Sequence, residues 1–335
     1  VTDIHFVPLA EVACKLRAFD DRFVLIYDEV VHEAVVPLIQ QLNPLCIALA
    51  GGEEIKSRKM KEKIEDELLL AGFSADTMII AAGGGSILDL AGFIAATFCR
   101  GVKLAFIPTT LLAMVDAAVG GKNGLNACGF KNMIGTVYHP HKLFIDYAFL
   151  KSLPKELFAC GLVEMLKIGF LKSPQLVDGF DALISQDEAA VQDAIVKSIS
   201  LKLEVIKNSS RDLLNFGHTF AHAIETLNHF QISHGKAVAL GMQLESSLAK
   251  RLGILSESDY KKMNALIQKI PLCDYPIKKA SQDVWLKALK QDKKSKKGAV
   301  GVVMLKAIGE PLGVQFVEDK QIVEVLDAAM CIDKT

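Results

Sequence analysis

The chain has 335 residues, a formal net charge of −1 and an apolar fraction of 51%. This fits a globular protein of two domains, or of one domain with a substantial second lobe, and gives no reason to expect a nucleic-acid or anionic-membrane partner. Seven scattered cysteines (Cys14, Cys46, Cys99, Cys128, Cys160, Cys273 and Cys331) form no C-x-x-C pair, which argues against a disulfide framework and for a reducing cytoplasm. With no basic and apolar leader and no apolar run near the roughly 20 residues of a membrane span, the chain is expected to be neither exported nor embedded.

Short apolar runs come first: RFVLIYDE (22–29), PLCIALAGG (44–52), DTMIIAAGGG (76–85), VKLAFIPTT (102–110) and HKLFIDY (141–147). Helical patterns separate them, and strands alternating with helices predict an α/β fold with a doubly wound parallel sheet. From about Leu153 the pattern lengthens into amphipathic stretches at 155–171, 188–207, 216–228 and 235–251, so this half reads as mainly helical. AVGVVML and LGVQFVE flank the turn-like IGEP at 308–311 and predict a hairpin. The domains are placed at 1–150 and 151–335, with the boundary in LKSLPKE, where Pro154 can open a helix.

In the first half, Gly83 to Gly85 stand between a strand and a helix. Glycine lets the backbone approach a phosphate, and the helix N-terminus offers it unpaired N–H groups; the plain alternative is a tight strand-to-helix turn. The spacing is not G-x-G-x-x-G, and no acid follows about 20 residues on. An acid comes earlier instead, Asp28, at the end of the first run, where a carboxylate can hold ribose hydroxyls. Glu53 and Lys56 follow the second run and by themselves read first as a solvated surface pair, while Asp89 can be a simple first-turn acid complementing the helix dipole. Thr109 and Thr110 place two hydroxyls at the carboxyl end of another strand, the edge where open α/β sheets bind ligands. Together these point to a dinucleotide.

In the second half, LLNFGHTFAHAIE carries His218 and His222 one helical turn apart, on one face. Spacing alone makes them a natural ligand pair, or else two hydrogen-bonded histidines at a helix start. His234 opens the next helix, and Glu164 lies in an otherwise apolar one. Thr219 stands where H-E-x-x-H would need its glutamate, which excludes that route to peptide hydrolysis. Arg100, Lys122, Lys131 with Asn132, Lys167, Lys202 and Arg211 are cations and an amide at turns or on apolar helices. KALKQDKKSKKG (287–298) reads as a solvated helix end. That much positive charge near the motifs fits a phosphorylated, carboxylated substrate.

The ordered set GGGSILDLAGFIAATFCRG, PTTLLAMVDAAVGGKNGLN, KNMIG, LPKELFACGLVEMLKIG, LLNFGHTFAHAIE, HGKAVALGM and DKK resembles the 3-dehydroquinate synthase family of sugar phosphate cyclases. The resemblance implies an N-terminal nucleotide-binding α/β domain, a C-terminal mainly helical metal-binding domain, an active site in the cleft and a cytoplasmic homodimer. It implies conversion of 3-deoxy-D-arabino-heptulosonate 7-phosphate to 3-dehydroquinate and phosphate in the shikimate pathway. The route is transient oxidation by NAD, β-elimination, reduction and aldol closure, and the leaving phosphate itself can act as base.

By the same resemblance Glu164, His218 and His234 bind Zn2+ or Co2+, and His222 is freed to contact substrate and handle protons, which overrules the spacing argument. Lys122, Asn132, Arg211, His222 and Lys293 or Lys294 match positions that hold phosphate and carboxylate. Arg100, Asp116, Lys131, Lys167, Lys202 and Asn215 match the remaining pocket. Asp28, Glu53, Lys56, Gly84, Gly85, Asp89, Thr109 and Thr110 match the NAD site, with Lys122 and Lys131 beside it. Three departures stand out: Ser86 for the usual valine, Ala221 for the usual glycine, and a connection between Lys202 and Arg211 several residues shorter than the family's. The rival readings are a sister cyclase such as 2-deoxy-scyllo-inosose synthase, a metal-dependent polyol dehydrogenase, and a non-catalytic nucleotide binder.

Overall fold

The computed structural model describes residues 2–19, 22–128, 130–274, 278–290 and 299–329. The chain divides into two compact units, Val1–Pro154 and Lys155–Thr335, so the division falls within LKSLPKE. Among the described residues no helix is long and apolar enough to cross a membrane, and Cys14, Cys46, Cys99, Cys128, Cys160 and Cys273 are free thiols.

The first unit runs β1 (Asp3–Phe6), α1 (Leu9–Leu16), β2 (Arg22–Asp28), α2 (His32–Leu42), β3 (Leu45–Leu49), α3 (Arg58–Leu70), β4 (Thr77–Gly83), α4 (Gly85–Thr97), β5 (Lys103–Pro108), β6 (Lys122–Ala127), β7 (Phe130–Val137) and β8 (Lys142–Ile145). Six strands form one sheet in the order β1-β8-β5-β4-β2-β3, every pairing parallel. Strand β4, Thr-Met-Ile-Ile-Ala-Ala-Gly, is buried at every residue, as expected of a parallel strand covered on both faces. Because the strands are parallel, Asp28, Leu49, Gly83 and Pro108 all end at one edge of the sheet. Strands β6 and β7 leave the sheet as an antiparallel hairpin with a bulge between Leu125 and Ala127.

The second unit runs α5 (Lys155–Lys172), α6 (Pro174–Asp178), α7 (Phe180–Ile184), α8 (Glu188–Lys207), α9 (His218–Leu227), α10 (His234–Arg251), α11 (Glu257–Lys269), α12 (Gln282–Lys290), β9 (Val300–Ala307), β10 (Glu310–Val317) and α13 (Asp319–Ala328). The antiparallel pairing of β9 with β10 is the hairpin expected around IGEP. Helix α5 begins directly after Pro154 and is buried without interruption from Phe158 to Leu171. A helix buried on every side sits at the centre of a bundle, and Phe170, Phe180, Phe216, Phe220 and Trp285 are among the largest fully buried side chains of this unit.

Candidate active-site residues

In the first unit the carboxyl edge of the sheet gathers most of the residues assigned to nucleotide. Asp28 ends β2, and its carboxylate accepts from the Val30 amide at 3.2 Å. Gly51 makes room for that carboxylate, since a Cβ there would lie 2.2 Å from Asp28 Oδ2. Gly84 is the N-cap of α4 and Gly85 its first residue, so the helix presents its free amides at the same edge. Thr109 donates its backbone N–H to the Gly83 carbonyl at 3.0 Å. Thr110 lies against Gly84, where a Cβ would meet its Cγ2 at 3.4 Å, and its Oγ1 accepts from the Ala113 amide. Ser86 is not a neutral replacement: its Oγ accepts the Gly52 N–H at 3.3 Å, tying the β3 loop to the glycine turn.

Beside this edge lies a charged cluster. Lys56, only 3% exposed, places Nζ 2.7 Å from Asp89, 3.7 Å from Glu53 and 2.7 Å from Asn132 Oδ1, to which it donates. Burial acts to lower the Lys56 pKa, but Asp89 and Glu53 outweigh it and the ammonium is held above its ordinary value. Asn126, which the sequence reading passed over, donates to Glu53 Oε2 at 2.8 Å and accepts from the Asn132 amide at 3.0 Å. Residues assigned to nucleotide and Asn132, assigned to substrate, are therefore joined through one lysine. Asp116 lies in a π-helical turn, Ala113–Ala117, after β5, while Lys122 and Lys131 sit on the β6–β7 hairpin. Arg100 is not brought to this edge: it is exposed and precedes β5, at the amino edge of the sheet.

In the second unit Glu164, His218 and His234 each offer a ligand atom, all within 4.8 Å of one another. Both histidine Nε2 atoms face Glu164 Oε1, at 3.6 Å from His218 and 3.7 Å from His234. Donors bonded at about 2.0–2.1 Å to a tetrahedral ion lie roughly 3.3–3.4 Å apart, so these separations suit a shared cation. They are too long for hydrogen bonds. Glu164 is only 3% exposed, and neither carboxylate oxygen accepts a well-aligned hydrogen bond, although Lys167 Nζ forms an ion pair with Oε2. Burial above all, then Lys167, His234 and His222, holds the His218 imidazole well below its ordinary pKa, in the neutral form that ligates metals. The donor set therefore fits a zinc-like ion.

His222 is exposed and lies outside this set; its ring stands edge-on to His218 with centroids 5.7 Å apart. Lys202 is buried near the end of α8, and Arg211 and Asn215 bound a 3-10 turn just before α9. The short connection is closed by Ser209, at φ 55°, and by the Ser210 N–H donating to the Val205 carbonyl. Lys293 and Lys294 lie outside the described residues. Two buried carboxylates escaped the sequence reading. Glu225 accepts from His234 Nδ1 at 3.2 Å, and Glu245 Oε2 accepts from the Gly217 amide at 2.8 Å. The only sequence signal for Glu225 is its place seven residues after His218, on the same helical face.

The family profile described as 3-dehydroquinate synthase N-terminal matches residues 46–160, and the one described as 3-dehydroquinate synthase C-terminal matches residues 161–295. The chain is 36% identical over 267 residues to a 3-dehydroquinate synthase of Corynebacterium jeikeium, covering 77% of this chain and 72% of that one. It is also 36% identical over 310 residues to the enzyme of that name from Streptococcus equi, covering 88% and 84%. Among solved structures it resembles 2-deoxy-scyllo-inosose synthase complexed with carbaglucose-6-phosphate, NAD+ and Co2+. There the TM-score is 0.88 at 26% identity, covering 97% of this chain and 95% of that one.

Proposed function

The chain belongs to the 3-dehydroquinate synthase family, and on that premise we propose how its residues serve the family reaction. The activity is that of a phosphate-eliminating carbon–oxygen lyase, converting 3-deoxy-D-arabino-heptulosonate 7-phosphate to 3-dehydroquinate and phosphate in the shikimate route to aromatic amino acids. The observation that carries the assignment of residues is the convergence of His218 and His234 on the buried carboxylate of Glu164.

When bound, NAD supplies a reversible hydride acceptor, and zinc or cobalt supplies Lewis-acid polarisation of substrate oxygens. Glu164, His218 and His234 hold the ion. The amides of Gly84 and Gly85 hold the pyrophosphate at the start of α4, Asp28 binds ribose hydroxyls, and Thr109 and Thr110 line the same edge. Glu53, Lys56 and Asp89 complete the nucleotide site, with Lys122 and Lys131 beside it. Lys122, Asn132, Arg211 and one of Lys293 or Lys294 bind the substrate's phosphate and carboxylate. Asp116, Lys131, Lys167, Lys202 and Asn215 complete the pocket, and Arg100, at the opposite edge of the sheet, is left out of it. The exposed His222 imidazole meets the substrate next to the ion and moves a proton there. The working assembly is a cytoplasmic homodimer, as the family resemblance implies.

With NAD+ and Zn2+ the purified protein should release phosphate from the heptulosonate phosphate with no net accumulation of NADH. Continuous NADH formation would overturn the reading in favour of a dehydrogenase. The likeness to 2-deoxy-scyllo-inosose synthase makes a sister cyclase the second reading, and the same phosphate assay across several sugar phosphates separates the two.

A further inference from the structure

Both histidines of the candidate metal set have their Nδ1 atoms occupied by acceptors. His218 Nδ1 lies 3.1 Å from the Phe216 carbonyl oxygen, and His234 Nδ1 lies 3.2 Å from Glu225 Oε1. Neither a carbonyl nor an ionised carboxylate can donate, so each Nδ1 carries the proton and each Nε2 is left with a lone pair. Those are the two nitrogens that face Glu164. The two acceptors differ in kind, because the one on His218 is main chain and survives any side-chain substitution. The one on His234 is a side chain on α9 that is only 2% exposed, whereas His234 itself opens α10 with its side chain one-third exposed. An exposed imidazole at a helix start has rotamer freedom that a buried partner removes.

We propose that Glu225 is a positioning residue for the metal set, fixing the tautomer and ring orientation of His234 and raising its basicity as a ligand. The inference rests on the ligand set assigned above. Helix α9 then contributes twice to the centre: His218 as a ligand at its first turn, and Glu225 two turns later as the support of the ligand on the next helix. A carboxylate behind a ligating imidazole is worth about 10–100-fold in metal affinity.

The test is zinc affinity of the whole chain, measured by competition with a chromophoric chelator, beside far-UV circular dichroism and thermal melting without metal. Glu225→Ala should weaken zinc by about 10–100-fold, and Glu225→Gln, which keeps an acceptor but loses the charge, by about tenfold. The cobalt-loaded variants should also show altered visible ligand-field bands. Affinity within about twofold of the parent in a folded Glu225 variant overturns the proposal. If Glu225→Ala does not fold, the near-isosteric Glu225→Gln decides by the same criterion. His234→Ala serves as the control: retained zinc there would sink the ligand assignment itself. Lost zinc in His234→Ala with unchanged affinity in the Glu225 variants would sink only the positioning role.

Discussion

Gly241→Ala is the sharpest test of how the metal-bearing helices are held. A Cβ at Gly241 would stand 1.9 Å from the Gly217 carbonyl oxygen, 2.9 Å from its carbon and 3.1 Å from the Ala221 nitrogen. All three are main-chain atoms, so no rotamer change relieves the contact. Restoring an ordinary separation of about 3.5 Å requires α10 and the start of α9 to part by roughly 1.5 Å. Overpacking of this kind costs about 1–3 kcal/mol, and the better helix propensity of alanine returns up to about 1 kcal/mol. A 1.9 Å main-chain contact belongs at the upper end of that range, leaving a net loss of about 2 kcal/mol. At roughly 2–4 °C per kcal/mol for a unit of this size, the melting temperature should fall by about 4–8 °C. The shift should also reach the site, since Gly217 directly precedes His218 and its amide is held by Glu245. Zinc affinity should therefore fall with stability. Calorimetry and the chelator competition check both, and a variant that melts and binds zinc like the parent would refute this account of the packing.

The remaining predictions concern individual side chains. His218→Ala and His234→Ala should lose zinc on dialysis, whereas His222→Ala should keep it and turn over slowly; metal analysis showing the reverse for His222 and His234 would reassign the ligands. Lys56→Met leaves Asp89 beside an apolar side chain, and removing one partner of a buried pair costs about 3–5 kcal/mol. Urea unfolding should show that loss, adding Asp89→Asn should recover much of it, and NAD+ affinity should fall in the single variant. A Lys56→Met protein as stable as the parent would mean that the ion pair at 2.7 Å carries no weight.

The parallel sheet was legible because its strands are near-continuous apolar runs, and the helices of the second unit because their periodicity is long. Strand β1 was missed, being four residues at the sheet edge with no residue fully buried. The β6–β7 hairpin was missed for a different reason: its sequence is polar and glycine-rich. Side-chain hydrogen bonds help to hold it instead, with buried Asn123 donating to the Gly121 and Tyr138 carbonyls. Within the site, the spacing of His218 and His222 identified a helix face, but the donor atoms that lie close together are those of His218, His234 and Glu164. A ligand set closes in space, and the residues that join His218 come from the start of α10 and the middle of α5. Glu225 and Glu245 were invisible for the same reason, since their partners are on other helices or in the turn before α9.

The lysine that joins Glu53 and Asp89 to Asn132 has a thermodynamic consequence. Under the proposed assignments, a change at the coenzyme side that draws Lys56 towards its carboxylates weakens its hold on the hairpin amide, and a change at the hairpin does the converse. Linkage makes that exchange reciprocal: whatever factor one ligand imposes on the affinity of the other, it receives in return. The coupling between the affinities of the two ligands is thus carried partly by a single ammonium group.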